Sequence, residues 1–93
     1  MENVAIAIEA GRLLIESGYS PMIPHLTHYM DPDDSLGHGI WMEVDLPWVE
    51  VAAAVLRLPG ESRGADIEVA HAKSLMIPVF HSLQELTYRL PPA

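Results

Sequence analysis

The chain alternates long amphipathic stretches with short apolar runs bounded by glycine or proline, and this alternation most restricts its fold. Polar residues recur at helical spacing along residues 2–17, which predicts a first helix ending near Gly18. The runs 19–24, 53–58 and 77–80 suit buried strands. Strands separated by helices form right-handed crossovers, so we predict an α/β domain with a short parallel sheet whose carboxyl edge is the working surface.

The other predicted elements complete a single domain over residues 1–93. Residues 26–40 are rich in Asp, Gly and Pro, which predicts a long polar loop. Residues 41–52 show helical spacing, but Pro47 is expected to break or restart this helix, so that Asp45 becomes an N-cap. The remaining predicted elements are a tight loop at 59–64 and helices at 65–75 and 83–88.

Composition and charge narrow the functional classes. Hydrophobic residues make up 49% and charged residues 19% of the chain, a balance typical of a globular protein. Thirteen acidic and five basic residues give a net charge of −8, so we expect neither nucleic acid nor a membrane as partner. The absence of cysteine excludes disulfides and thiolate metal sites. No apolar run approaches the roughly 20 residues of a membrane span, and the first residues lack the basic flank of a signal peptide, so we expect a cytoplasmic protein.

One carboxylate interrupts the apolar face of the helix at 65–75. At spacings of three and four residues, Glu68 falls on the inward face, where we expect it to be partly desolvated. Perturbed acids cluster at functional sites. The alternative is that Glu68 lies at the edge of this face and reaches solvent or a neighbouring Arg. The predicted inward face contains Ala65, Glu68, Val69, Ala72, Leu75 and Met76.

Ser62 and Gly64 precede the same helix. Free backbone N–H groups at a helix N-terminus bind a phosphate or a hydroxyl, and a glycine allows close approach to the backbone. The alternative is that Ser62 is an N-cap and the glycine only shapes a turn. The segment is not a Walker loop, because no Gly-Lys-Ser/Thr follows.

The remaining candidates lie between the first predicted strand, at 19–24, and the second, at 53–58. His25, His28 and Asp31 have residue types that suit zinc or iron, but they lie on a strand end and an irregular loop, so we expect solvated histidines and no metal. Asp45 becomes functional if it lies near Glu68, because glycosidic chemistry uses two carboxylates. Trp41 borders the polar loop and is a candidate to line a pocket.

Several of these residues together resemble a known family. The chain resembles the nucleoside 2-deoxyribosyltransferase-like superfamily over most of residues 3–86, with the deoxynucleoside monophosphate N-glycosidases and an uncharacterised bacterial and phage branch looking closest. The Ser-x-Gly-x-x-x-Glu spacing behind a strand is the most specific part of the resemblance. The matching segments are Asp45-Leu46-Pro47-Trp48, Ser62-x-Gly64-x-x-x-Glu68, Ala72 and Ile77-Pro78-Val79.

The resemblance implies a role for each matching residue. Glu68 matches the nucleophile that forms a covalent deoxyribosyl intermediate, and Asp45 matches the acid that assists departure of the base. Ser62 and Gly64 match the loop that holds the 5′ end of the sugar or its phosphate, and His25 matches a histidine at the end of the second family strand. Two carboxylates about 5 Å apart allow a retaining double displacement. The implied substrate is a small nucleoside or nucleotide, and no cofactor is implied.

The resemblance also implies a flavodoxin-like (Rossmann-like) three-layer sandwich. This chain starts inside the family's first helix, so the N-terminal strand of that fold is missing. We therefore expect a partner chain to cover the unpaired strand edges, as in a homo-oligomer, or the reading frame to have been assigned too short. Two other functional classes stay open: a catalytically incompetent nucleotide-binding module, and a structural or interaction protein.

Overall fold

The protein is a small α/β domain with a short parallel sheet, as the alternating sequence pattern predicts. The computed structural model describes residues 2–60 and 62–92, without the side chains of residues 2, 3, 25, 27 and 28. The sheet pairs strand β1 (Val55–Leu56) with strand β2 (Val79–Phe80) in parallel, with Val55 opposite Val79 and Leu56 opposite Phe80. The elements are α1 (Glu2–Glu16), α2 (Pro24–Thr27), a 3₁₀ turn (His28–Met30), α3 (Gly37–Val51), β1 (Val55–Leu56), α4 (Arg63–Ser74), β2 (Val79–Phe80) and α5 (Leu83–Arg89).

The helices pack against one another and against β2, which contacts both α4 and α5. Helix α4 connects β1 to β2 and packs against α3. The chain after α1 is tied to the end of α5, because the Tyr19 hydroxyl donates a hydrogen bond of 2.6 Å to the carbonyl of Leu90. The buried apolar side chains come from α1, α3, α4 and α5 and form the core. They are Ala7, Ala10, Leu14, Trp41, Val49, Ala72 and Leu86.

The predicted strands at 53–58 and 77–80 are only two residues long in the structure, and the helix predicted at 65–75 begins two residues earlier and ends one residue earlier. The inward face of α4 is confirmed only in part. Ala72 is completely buried, but Leu75 and Met76 lie beyond the last turn and are exposed, Met76 to 92%. The helical spacing fails there because α4 ends at Ser74.

The predicted strand at 19–24 is wrong. Residues 19–23 belong to no helix or strand, and α2 begins at Pro24. Their apolar composition correctly indicates an interior position, since several of them face a cavity described below. A strand additionally needs a neighbour that supplies its hydrogen bonds, and no strand lies beside this segment in the described part of the chain.

The predicted break at Pro47 is also wrong, because α3 runs through it without interruption. Asp45 is therefore not an N-cap but a buried residue inside the helix. Trp41, Asp45 and Val49 form a buried stripe at four-residue spacing that holds the helix together. Proline removes an N–H that would bond the carbonyl of Glu43, and because Glu43 is exposed, water can satisfy that carbonyl.

The predicted polar loop at 26–40 is shorter than expected, since α2, the 3₁₀ turn and the first turn of α3 occupy much of it. Asp31 organises what is left. Its carboxylate accepts hydrogen bonds from the backbone N–H groups of Ser35 and Leu36, from the Ser35 hydroxyl, and from Trp41 Nε1, at 3.0 to 3.1 Å. Burial acts to raise the pKa of Asp31, but the bonds from Leu36, Trp41 and Ser35 outweigh it and place the pKa below its ordinary value of 3.8.

Candidate functional site

A cavity of about 450 Å³ lies against β1. Residues of α1 and α5 line part of its wall, and residues of α3 and α4 line another part. Its lining is largely apolar, with a few polar groups from Asp45, Arg57, Ser62 and Glu68. An apolar cavity of this size with a few convergent polar groups is the usual form of a small-molecule site.

Glu68 reaches this cavity from the inward face of α4, one helical turn beyond Ala65, as its spacing predicts. Its Oε2 atom is buried and has no hydrogen-bond partner among the described residues. Burial, and after it the negative charge of Asp45, raise the pKa of Glu68 from 4.5 to about 7, although the positive charge of Arg57 acts in the opposite direction. The prediction that Glu68 is partly desolvated is therefore confirmed, and near neutral pH this side chain is divided between its two protonation states.

Asp45 enters the same cavity from the buried stripe of α3, and only 2% of its surface is exposed. The sequence left open whether Asp45 lies near Glu68. The structure brings the two carboxylates close together, because the negative charge of Asp45 helps to raise the pKa of Glu68. The local reason for its position differs from the predicted one. The unbroken helix, rather than a cap at a restart, turns Asp45 toward α4.

Ser62 is both a helix cap and a residue of the cavity wall. Its hydroxyl accepts a hydrogen bond of 3.1 Å from the N–H of Ala65, which satisfies one of the free donors at the start of α4. The predicted capping role is confirmed, and the same side chain also lines the cavity. The two interpretations of Ser62 from the sequence are thus compatible.

Arg57 is a residue of this site that the sequence reasoning did not single out. Its guanidinium donates hydrogen bonds to the carbonyls of Leu58 and Gly60, the latter at 2.7 Å, and lies 3.3 Å from a carboxylate oxygen of Asp66. These contacts tie the loop after β1 to the first turn of α4. Its position in the sequence was the available signal. Arg57 is one of five basic residues in the chain and lies near the carboxyl end of the strand predicted at 53–58.

Three further candidates lie away from the cavity wall or outside the described side chains. Gly64 faces α3, because a Cβ atom built on it would meet Met42 and His38. Trp41 does not line this cavity but lies buried with its indole N–H on Asp31, which corrects the expectation of a pocket residue. The side chain of His25 lies outside the described residues.

A different tryptophan supplies the aromatic surface of the site. Trp48 lines the cavity and keeps 55% of its surface exposed. It lies seven residues, or nearly two turns, beyond Trp41, so it lies on almost the same face of α3 about 10 Å further along the helix. Trp41 was the predicted pocket residue because it borders the polar loop, but the structure places Trp48 at the cavity instead.

No metal cluster is apparent at this site. Among the side chains that the structure describes, no three His, Asp or Glu residues are grouped closely enough to hold a metal ion. The side chains of His25 and His28 are outside the described set, so the metal site considered for them with Asp31 stays untested. The Asp31 carboxylate accepts a hydrogen bond from the N–H of Leu36, just before α3. Within residues 2–60 and 62–92, none of the helices has both the length and the apolar character needed to cross a membrane.

The chain was also compared with known proteins. No match was found among models of protein families, among curated proteins or among solved structures. The inference of function therefore depends on the residues of the cavity: two carboxylates whose charges interact, a helix-capping hydroxyl and a guanidinium, around a space that can hold a small molecule.

Proposed function

We propose that the protein breaks the N-glycosidic bond of a small nucleoside or nucleotide, or transfers its deoxyribosyl group, through a covalent intermediate on Glu68. One observation carries the proposal: Glu68, Asp45 and Ser62 line one cavity, and the charge of Asp45 acts on Glu68. These are the residues to which the resemblance to the nucleoside 2-deoxyribosyltransferase-like superfamily assigns nucleophile, acid and sugar-binding roles. A flavodoxin-like arrangement and a homo-oligomer belong to the same proposal.

The reaction uses the two carboxylates in turn. Below about pH 7 the two carboxylates hold one proton between them. With that proton on Asp45, the ionised Glu68 attacks the anomeric carbon, the bond from that carbon to the base nitrogen breaks, and the base leaves with the proton donated by Asp45. An ester between Glu68 and the sugar results. Water that gives its proton to Asp45 then attacks the same carbon, releases Glu68 and regenerates the starting state with overall retention. If the hydroxyl of a second sugar or the nitrogen of a second base replaces water, the same cycle is a transfer.

The remaining groups hold the substrate and set its protonation. Ser62 and the first backbone N–H groups of α4 offer donors to the sugar's 5′ oxygen or its phosphate. The positive charge of Arg57 lowers the pKa of Glu68 and so favours its ionised, attacking form. Trp48 offers an aromatic face to a base.

The test is release of free base from a panel of 2′-deoxynucleosides and their 5′-monophosphates, separated by chromatography. We expect the parent protein to release base from at least one of them, and Glu68→Gln to release none. The exposed residue Glu43 provides a matched control, since Glu43→Gln makes the same chemical change in α3 away from the cavity. Intact-mass measurement after rapid acid quenching is expected to show a sugar adduct on the parent and none on Glu68→Gln.

A matched pair of serines separates binding from stability. Ser62 and Ser82 both cap a helix by accepting a backbone N–H bond, at 3.1 and 3.0 Å, but only Ser62 lines the cavity. Each change to Ala should lower stability by about 1 kcal/mol. Only Ser62→Ala should raise KM, and equal KM values for the two variants would remove Ser62 from the substrate site.

A negative result has a defined meaning. If no substrate of the panel loses its base and Glu68→Gln behaves like the parent, the glycosidase proposal is wrong. Binding of nucleotides in calorimetry without turnover would then favour the nucleotide-binding module. Absence of both would leave the structural or interaction protein.

A further inference from the structure

A hydrogen bond joins the last turns of α3 and α4. Nε2 of His71 donates it to a carboxylate oxygen of Glu50 over 2.9 Å, since a carboxylate can only accept. The two side chains keep 28% and 51% of their surface exposed. Beside them the helices are closely packed, because Val49 is buried and Ala72 is completely buried. The bridge therefore lies at the edge of the contact between the two helices.

The sequence of α3 does not by itself explain Glu50. This residue lies in the last turn of the helix, where the negative end of the helix dipole disfavours a carboxylate. His71 lies in the last turn of α4, where a basic group is favoured. The ion pair of Arg12 with Glu16 stays within one helix, whereas His71 and Glu50 are 21 residues apart and connect two. The bridge is therefore a feature of the tertiary structure.

The bridge lies close to the two carboxylates of the cavity. His71 follows Glu68 by three residues, about 4.5 Å along α4. Glu50 follows Asp45 by five residues, about 7.5 Å along α3. Gly64, which precedes Glu68 in α4, faces the first half of α3, so the contacts advance in the same direction along both helices. The carboxylate pair thus lies between a contact at the start of α4 and the bridge at its end.

We propose that Glu50 and His71 are positioning residues, whose bridge between α3 and α4 sets the spacing of Asp45 and Glu68. The bridge closes a ring of chain from 50 to 71 that includes β1 and the loop carrying Ser62. The effect on spacing stands without any reaction, whereas its consequence for turnover rests on the proposed function. Misplacing a reacting group by about 1 Å can cost about 100-fold in rate.

The test is the pKa of Glu68 in variants of the full chain, followed by NMR titration of its side-chain carboxyl carbon and assigned by the loss of that signal in Glu68→Gln. We expect the pKa of about 7 in the parent to fall by about 0.5 or more in Glu50→Ala and in His71→Ala, because the helices separate, Asp45 moves away and water enters. Loss of positive charge at His71 would by itself raise this pKa, so a fall in His71→Ala reports the geometry.

Two controls separate the hydrogen bond from the charge. Glu50→Gln keeps an acceptor for His71 without the charge, so the pKa of Glu68 should stay close to that of the parent. Glu43→Ala removes an exposed charge from the same helix and leaves the bridge intact, so it should also leave that pKa unchanged. Both bridging side chains are partly exposed, and we expect circular dichroism to show every variant folded.

Turnover gives a second readout where base release is found. Glu50→Ala should lower kcat at least about tenfold and keep KM within about twofold of the parent, and Glu50→Gln should restore kcat. Without base release the titration still decides, so the proposed reaction and the positioning role can fail separately. An unchanged Glu68 pKa in both alanine variants would overturn the positioning role, as would an equal fall in Glu50→Gln.

Discussion

Replacing Glu68 by Gln should make the protein more stable at alkaline pH than at acidic pH relative to the parent. Burial and the neighbouring charge of Asp45 raise the pKa of Glu68 from 4.5 to about 7, so the fold favours the protonated form. The contribution of this group to stability is therefore fully present below about pH 4.5 and is lost as the pH rises through about 7. Glutamine stays neutral throughout and avoids that loss.

The size of the effect follows from the pKa difference. At about 1.36 kcal/mol per pKa unit, the change from 4.5 to about 7 corresponds to roughly 3 kcal/mol for a fully buried group. Glu68 is only partly buried, and solvent screening reduces the expected value to about 1–2 kcal/mol. Any cost of burying the amide is the same at both pH values and cancels in the comparison.

The assay is urea denaturation of both proteins at pH 5 and pH 8, followed by circular dichroism. We expect the free energy of unfolding of Glu68→Gln, minus that of the parent, to increase by about 1–2 kcal/mol between the two pH values. Glu43→Gln, which alters an exposed glutamate, should change by less than about 0.5 kcal/mol. An unchanged difference for Glu68→Gln would refute the claim that Glu68 is desolvated beside Asp45.

Three further predictions follow from the same structure. The proposed cycle needs one proton on the pair of carboxylates, held by Asp45 when it acts as the acid, so kcat/KM should fall as the pH rises above about 7, where the pair loses that proton, and a profile that stays level above pH 7 would contradict the acid role of Asp45. Pro47→Ala restores a missing helix hydrogen bond in α3 and should raise the free energy of unfolding in urea by about 1–3 kcal/mol, whereas a loss would mean that the proline is needed for packing. Asp31 has a lowered pKa, so its stabilising effect is present above about pH 3.8 and is lost on further acidification. In Asp31→Asn, melting temperatures should be lower than those of the parent near neutrality and should converge with them in acid.

Local chemistry made part of the fold predictable. The polar stripe of α1, the capping hydroxyl of Ser62 and the helical spacing that turns Glu68 inward are properties of neighbouring residues, and the structure shows each of them. The parallel pairing of β1 with β2 followed from the helix between them. For the same reason, the cavity wall on α4 was predicted better than any other part of the site.

Distant partners decided the features that were missed. Residues 19–24 have the composition of a strand, but hydrogen bonds from a neighbour, which composition does not reveal, determine whether a strand forms. Pro47 has a strong local preference against a helix interior, yet the buried stripe that includes Trp41 and Val49 overrides it. Arg57 acquires its role from the carbonyls of a loop that folds back on it, which no spacing in the sequence indicates.

The shortness of the sheet bears on how the domain folds. Each strand contributes two residues, and a pairing of that size does not persist in water without further packing. Helix α4 occupies most of the chain between the strands, and it advances about 1.5 Å per residue where extended chain advances about 3.3 Å. We therefore expect α4 to form first and bring the strands within reach, so that in pulsed hydrogen exchange the amides of α4 become protected before those of β1.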